Sequence, residues 1–197
     1  MKRLSAFLII ATTSVILFTA CNNTKTDSVD QAKDMNEQKS DTTGADSVGT
    51  LNVSESDANW AVKAANGGMM EVELGRYAQE HAATQAVKDF GSMMVQDHSA
   101  ANDKLKGIAA SKNITLPDSV SNETRNDMND VMKKTGKDFD KAYINMMVDD
   151  HKKDINDFQD GVKNLADPDL RSFAETTLPT LQKHLDAAQK IKDQNKY

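Results

Sequence analysis

The stretch VKDFGSMMVQDHSAANDKLKGI, from Val87 to Ile108, decides the fold. Its apolar residues Val87, Phe90, Met94, Ala101, Leu105 and Ile108 recur at steps of three, four or seven, the period of a helix with one buried face. His98 falls on the same stripe, four residues after Met94 and three before Ala101. The sequence MMVDDH at Met146–His151 repeats MMVQDH at Met93–His98 in five letters of six, and each ends on one of only four histidines in the chain. Ile144, Met147, His151, Ile155, Phe158, Val162 and Leu165 keep the same rhythm, so this second copy also lies on a long helix.

Working outward, the chain reads as helix from Asp57 almost to its end. The first helix, about 57–82, is lined by Ala61, Ala64, Ala65, Gly68, Gly75 and Ala78, small residues that permit close approach of a neighbour. Thr84 is placed to cap the second, which runs to about residue 112. NITLPDSVSNE breaks the pattern at Pro117, and a short amphipathic piece with Met128, Val131 and Met132 ends near Gly136. The third long helix covers about 138–165. Asp167 followed by Pro168 is a cap and first-turn pair for the fourth, about 168–193, in which Pro179 should produce a kink. Four helices of similar length in two hairpins predict an all-α, ferritin-like four-helix bundle with a short extra helix in its long connector.

The N-terminus reads as an export signal over residues 1–20: Lys2 and Arg3 precede the apolar LSAFLIIATTSVILFTA, with no stop-transfer pattern after it. The only cysteine, Cys21, sits at the cleavage point, and FTAC resembles a bacterial lipobox, which makes Cys21 the expected lipidation site. Asn22 favours the outer membrane by resemblance to enterobacterial sorting, with the domain facing the periplasm. Residues 21–56 are polar and lack sustained periodicity, and are expected to form a disordered tether to a bundle at 57–194. The chain carries a net charge of −6, becoming −8 without Lys2 and Arg3, and shows no basic cluster or aromatic platform. Nucleic acid is therefore not an expected partner. The expected partner is the membrane, through the lipid anchor.

EVELG, VKDFGSMMVQDH, GKDFDKAYINMMVDDH and DLRSFAETTLPTLQKHLDAA, taken together, resemble the bacterial family known as domain of unknown function 4142, whose members are often labelled outer-membrane proteins. The resemblance spans about residues 57–190. It implies a ferritin-like helical bundle and no assigned reaction.

Geometry singles out one polar group per long helix. Counted from the expected turns near residues 83 and 166, Glu71, His98, His151 and His184 all lie roughly 18–27 Å along their helices, at mid-height. Each falls on an apolar stripe, where an ionisable group costs several kcal/mol unless paired or metal-bound. Three imidazoles and a carboxylate suit zinc, copper or iron, or else form a hydrogen-bonded, proton-responsive network that fixes helix register with no metal. Asp97 and Asp150 are candidate acceptors fixing the imidazoles from behind, with Glu73, Met94 and Met147 as further neighbours. The methionines are either core filler or part of a soft copper site. Di-iron bundle enzymes place a Glu three residues before each His, where this chain has Val95, Val148 and Leu181, so that chemistry is not expected. His81 lies near a turn, outside this level. VKDF and LRSF, opening the second and fourth helices, suggest a duplicated hairpin in which His184 answers His98 and His151 takes the place of Glu71.

The function expected is that of an anchored binding or envelope-stress module with a central His/Glu cluster. The alternative is a metal-binding redox or storage protein using that cluster, or a scaffold docking through LPDSVSNE. No nucleophile with a base and no phosphate loop is visible, so the chain reads as a non-enzyme unless a metal makes it one.

Overall fold

Side-chain caps open four of the six described helices. The computed structural model describes residues 27–41 and 49–195; the export segment, Cys21 and, of the expected tether, also residues 22–26 and 42–48 lie outside them. Six helices follow in order: α1 (Ser28–Ser40), α2 (Glu55–His81), α3 (Gln85–Ser111), α4 (Asn122–Met132), α5 (Gly136–Asn164) and α6 (Pro168–Asn195). The Ser54 side chain accepts from Asp57 N to open α2, and Ser121 does the same from Thr124 N for α4. Asp167 Oδ1 accepts from Asp169 N and Leu170 N, each at 3.0 Å, ahead of Pro168 at the start of α6. That helix continues without interruption through Pro179. Among the described residues, no helix is long and apolar enough to cross a membrane.

The bundle is two hairpins, α2 with α3 and α5 with α6, joined where α3 packs on α6 and α2 on α5. Backbones meet inside the first hairpin: a Cβ on Gly75 would stand 2.8 Å from Gly91 O, and one on Gly91 2.7 Å from Gly75 O. Each hairpin turn is clasped by a buried aspartate of the other hairpin. Asp140 of α5 accepts from Ala83 N (2.8 Å), Thr84 N (2.9 Å) and the Thr84 hydroxyl (2.8 Å). Thr84 therefore makes no side-chain cap for α3, contrary to expectation, because Asp140 claims its hydroxyl. Asp57 of α2 likewise accepts from Asp167 N at 2.7 Å and Ala166 N at 3.4 Å.

These clasps reveal the register of the duplication. Asp140 follows Asp57 by 83 positions, as Tyr143 follows Trp60 and Phe173 follows Phe90. Trp60 meets Phe173 edge-on at 6.2 Å, and Tyr143 meets Phe90 edge-on at 6.0 Å.

The tether reading fails for residues 28–40. Asp27 accepts from Val29 N and Asp30 N to start α1, which lies on α2 and the connector. Its inward positions are Val29, Ala32, Asn36 and Lys39. Asn36 exchanges two hydrogen bonds with the Thr115 backbone, and Lys39 Nζ donates to Asn113 O and Thr115 Oγ1. Half of the buried stripe is polar and satisfied by the connector backbone, so no hydrophobic period marks it in the sequence. α1 also bonds the connector expected to serve for docking, whose Asp118 and Ser119 stay exposed: Ser28 Oγ donates to Asp118, and Asp27 accepts from Asn122 N at 2.6 Å.

Two apolar clusters fill the bundle, one around Leu74, Met94, Phe139, Tyr143 and Met147, the other around Ala61, Leu105, Leu170, Phe173 and Leu181. The polar residues that matter sit at the seam between them.

Candidate metal centre

Glu71, His98, His151 and His184 come together as their matched heights imply, each on a different long helix and each at most 6% exposed. Glu71 Oε2 is 2.7 Å from His98 Nδ1. His98 Nε2 is 3.2 Å from His184 Nδ1, and His151 Nε2 is 3.3 Å from that same atom. Glu71 Oε1 stands 3.3 Å from His151 Nε2 and accepts no hydrogen bond.

The outer nitrogens fix the tautomers. His151 Nδ1 is 2.9 Å from Met147 O, a carbonyl that can only accept, so Nδ1 carries the proton. His184 Nε2 is 2.9 Å from Asp97 Oδ2 and donates to it. In the neutral rings, His151 Nε2 and His184 Nδ1 are then both bare. Glu71 Oε2 and His98 Nδ1 share one proton: with Glu71 ionised His98 Nε2 is bare as well, and with Glu71 protonated His98 Nε2 donates to His184 Nδ1. One nitrogen of each ring lies within 4.8 Å of the others.

Burial keeps the rings neutral. Desolvation pulls His98 down to about 4, against the raising effect of the Asp150 and Asp97 charges. Desolvation, then the other two imidazoles, pulls His151 to about 3. His184 falls to about 4 for the same first reason, although its bond to Asp97 opposes the shift. Desolvation, with Asp150 second, raises Glu71 well above the usual carboxylate range. Neutral imidazoles facing one another across about 3 Å can ligate a metal ion or pass a hydrogen bond from ring to ring.

The expected supporting residues divide. Asp97 reaches from α3 to His184 on α6, and Met147 contributes its carbonyl rather than its sulfur. The Met94 and Met147 side chains pack in the apolar cluster with Phe90 and Tyr143, which matches the core-filler account. Glu73 does not belong to the site: Arg125 Nη1 and Nη2 hold it on the surface at 2.5 and 3.2 Å. His81 is exposed and stacks on Tyr77. Asp150 turns away from the imidazoles toward a second group, in which its carboxylate, that of Glu71 and that of Asp154 lie within 4.8 Å.

Asp154 is the residue that sequence reasoning passed over. It lies three positions after His151, in the order His-x-x-Asp, while attention to acids before each His found only Val95, Val148 and Leu181. The 83-residue register also identifies it, since Asp154 stands to Asp140 as Glu71 stands to Asp57. That corrects the expected pairing: Glu71 answers Asp154, and the three histidines answer Gly68, Leu181 and Ala101 rather than one another or Glu71. The imidazoles are departures from the repeat, and the two carboxylates are part of it.

Over residues 42–191 the chain matches the family described as domain of unknown function (DUF4142). It belongs to that family. No curated protein and no solved structure matches it. This DUF4142 chain therefore has to be read from its own geometry, whose central feature is the His/Glu cluster capable of holding an ion.

Proposed function

We propose that the bundle is a transition-metal-binding module, carried at the bacterial envelope by a lipid on Cys21. The supporting observation is the convergence of three buried imidazole nitrogens, one from each ring, within 4.8 Å of one another. A tetrahedral zinc with bonds of about 2.0–2.1 Å separates its nitrogen ligands by about 3.3–3.4 Å. The two separations at His184 Nδ1 are 3.2 and 3.3 Å. Each ring is also backed by a fixed acceptor, namely Glu71, Met147 O and Asp97, the arrangement that orients ligating histidines and raises their basicity. Glu71 Oε1, 3.3 Å from His151 Nε2, is at the same edge length and is the candidate fourth donor.

Imidazole ligands suit zinc, copper and iron alike, and the apolar clusters on both sides favour retention of a bound ion over rapid exchange. A small void of about 20 Å³ touches Glu71 and His98, room for one water-sized molecule beside the ligands. Storage or redox use of the ion are both compatible with this layout. The proposal stands or falls on metal content. Protein purified without chelator or affinity tag should carry close to one equivalent of transition metal, and zinc should raise its melting temperature. Less than about a tenth of an equivalent, with no thermal shift on adding zinc or copper, removes the reading.

A further inference from the structure

We infer that Glu71, Asp150 and Asp154 form a second cation site, for a hard, oxygen-preferring divalent ion, which shares the Glu71 carboxylate with the imidazole centre. Glu71 comes from α2; Asp150 and Asp154 lie one turn apart on α5, on either side of His151. Each residue offers one oxygen, and the three lie within 4.8 Å of one another. Glu71 is 1% exposed, yet among the described residues nothing donates a hydrogen bond to its Oε1, nor to the solvent-shielded Oδ2 of Asp150. Buried oxygens of like charge at this spacing repel unless a proton or a cation stands among them.

Ligand chemistry separates the two sites. Three carboxylates suit manganese, magnesium or calcium, whereas the imidazoles suit zinc, copper or iron. Access differs as well. Asp150 and Asp154 line a cleft of about 780 Å³ between α1, α2, α4 and α5, whose wall also carries Asp30, Glu123 and Asp127, along with Lys33, Lys63 and Lys153. An ion can reach the carboxylates from this side without passing the histidines. The repeat gives a further reason, because Glu71 and Asp154 occupy equivalent places in the two hairpins and face each other where α2 meets α5. The inference borrows Glu71 from the proposed imidazole centre and does not require that centre to be filled.

Mn²⁺ alone is the probe, titrated into the full chain in detergent after chelator treatment, with free Mn²⁺ read by electron paramagnetic resonance. Wild type should take up one Mn²⁺. Asp150→Asn and Asp154→Asn should each weaken Mn²⁺ binding at least ~10-fold and leave zinc binding within ~3-fold. His184→Ala should do the reverse, losing zinc and keeping Mn²⁺. The amide is isosteric and removes repulsion, so the metal-free variants should melt no lower than wild type. A second measurement needs no substitution: Mn²⁺ should broaden the His98 and His151 ring-proton resonances of wild type. Unchanged Mn²⁺ uptake in the double variant, absence of uptake by wild type at ~1 mM, or sharp ring signals with Mn²⁺ bound would each overturn the second site. Loss of the zinc result alone, with Mn²⁺ behaviour intact, would overturn the imidazole centre instead.

Discussion

MMVQDH of α3 and MMVDDH of α5 are nearly the same word placed in two settings. Both deliver an imidazole Nε2 to His184 Nδ1, at 3.2 Å from His98 and 3.3 Å from His151. Behind the rings they diverge. His98 leans on a carboxylate from another helix, Glu71, while His151 leans on the carbonyl of its own Met147. The preceding aspartates diverge further: Asp97 orients His184, and Asp150 joins Glu71 and Asp154. The local pattern decides that an imidazole faces inward. The helix standing opposite decides what it does there. For α3 that helix is α2, brought into backbone contact by Gly75 and Gly91, with Glu71 one turn from Gly75.

The strongest test removes what the two words share. His184→Ala should lower zinc affinity by at least ~10³-fold in calorimetry, more than the ~10–100-fold expected for loss of an outer acceptor. Equal weakening by His184→Ala and Asp97→Asn would mean that His184 is not a ligand.

Adjacent residues of the second word should respond to pH in opposite directions. The histidine pKa values of about 3–4 lie below the unfolded value near 6.5. Their contribution to stability is therefore complete above about pH 6.5 and is lost as pH falls toward 4, because the unfolded chain binds protons that the fold refuses. Asp150, raised to about 6 by burial, contributes in the other sense: its share is present below about pH 4 and fades as pH rises through 6. In denaturant melts of metal-free protein, stability should drop by on the order of a few kcal/mol from pH 6.5 to 4. Asp150→Asn should steepen that loss between pH 4 and 6 by removing the opposing term. An identical profile for the variant would contradict the assignment.

The two hairpins should differ in their tolerance of a methyl group. Gly91→Ala drives a Cβ toward the Gly75 carbonyl and should cost ~2–3 kcal/mol in urea unfolding. Gly161→Ala meets the Trp60 ring at 3.0 Å, a side chain that can shift, and gains helix propensity, so its cost should stay below ~1 kcal/mol. Similar costs would show that α2 and α3 are not held by backbone contact.

Asp97→Asn and Asp150→Asn give the finest comparison. The first should weaken zinc ~10–100-fold through His184, and the second less than ~3-fold. Equal effects would place both aspartates behind the same metal.

Much of this was legible in the residues. The steps through Val87, Phe90, Met94 and His98, and their echo through Ile144, Met147 and His151, specify four long helices and place one polar group per helix at mid-height. The start of α6 follows from the cap chemistry of Asp167 and Pro168, whereas Thr84 marks the start of α3 without capping it. α1 was illegible, since Asn36 and Lys39 are buried by hydrogen bonds to a connector about 75 residues away. Asp154 was passed over because it lies after its histidine instead of before it, and Glu73 was included because it neighbours Glu71 in sequence while facing Arg125 in space.

What the sequence by itself determined is a set of faces: helical periodicity fixes the direction of each side chain on its own axis. Which atoms meet was left to tertiary structure, because rotation and register between helices depend on contacts far apart in the chain. The glycine contact of α2 with α3 and the reciprocal clasps of Asp57 and Asp140 set that register here. Only with it set do three imidazole nitrogens face one another, with three carboxylates beside them.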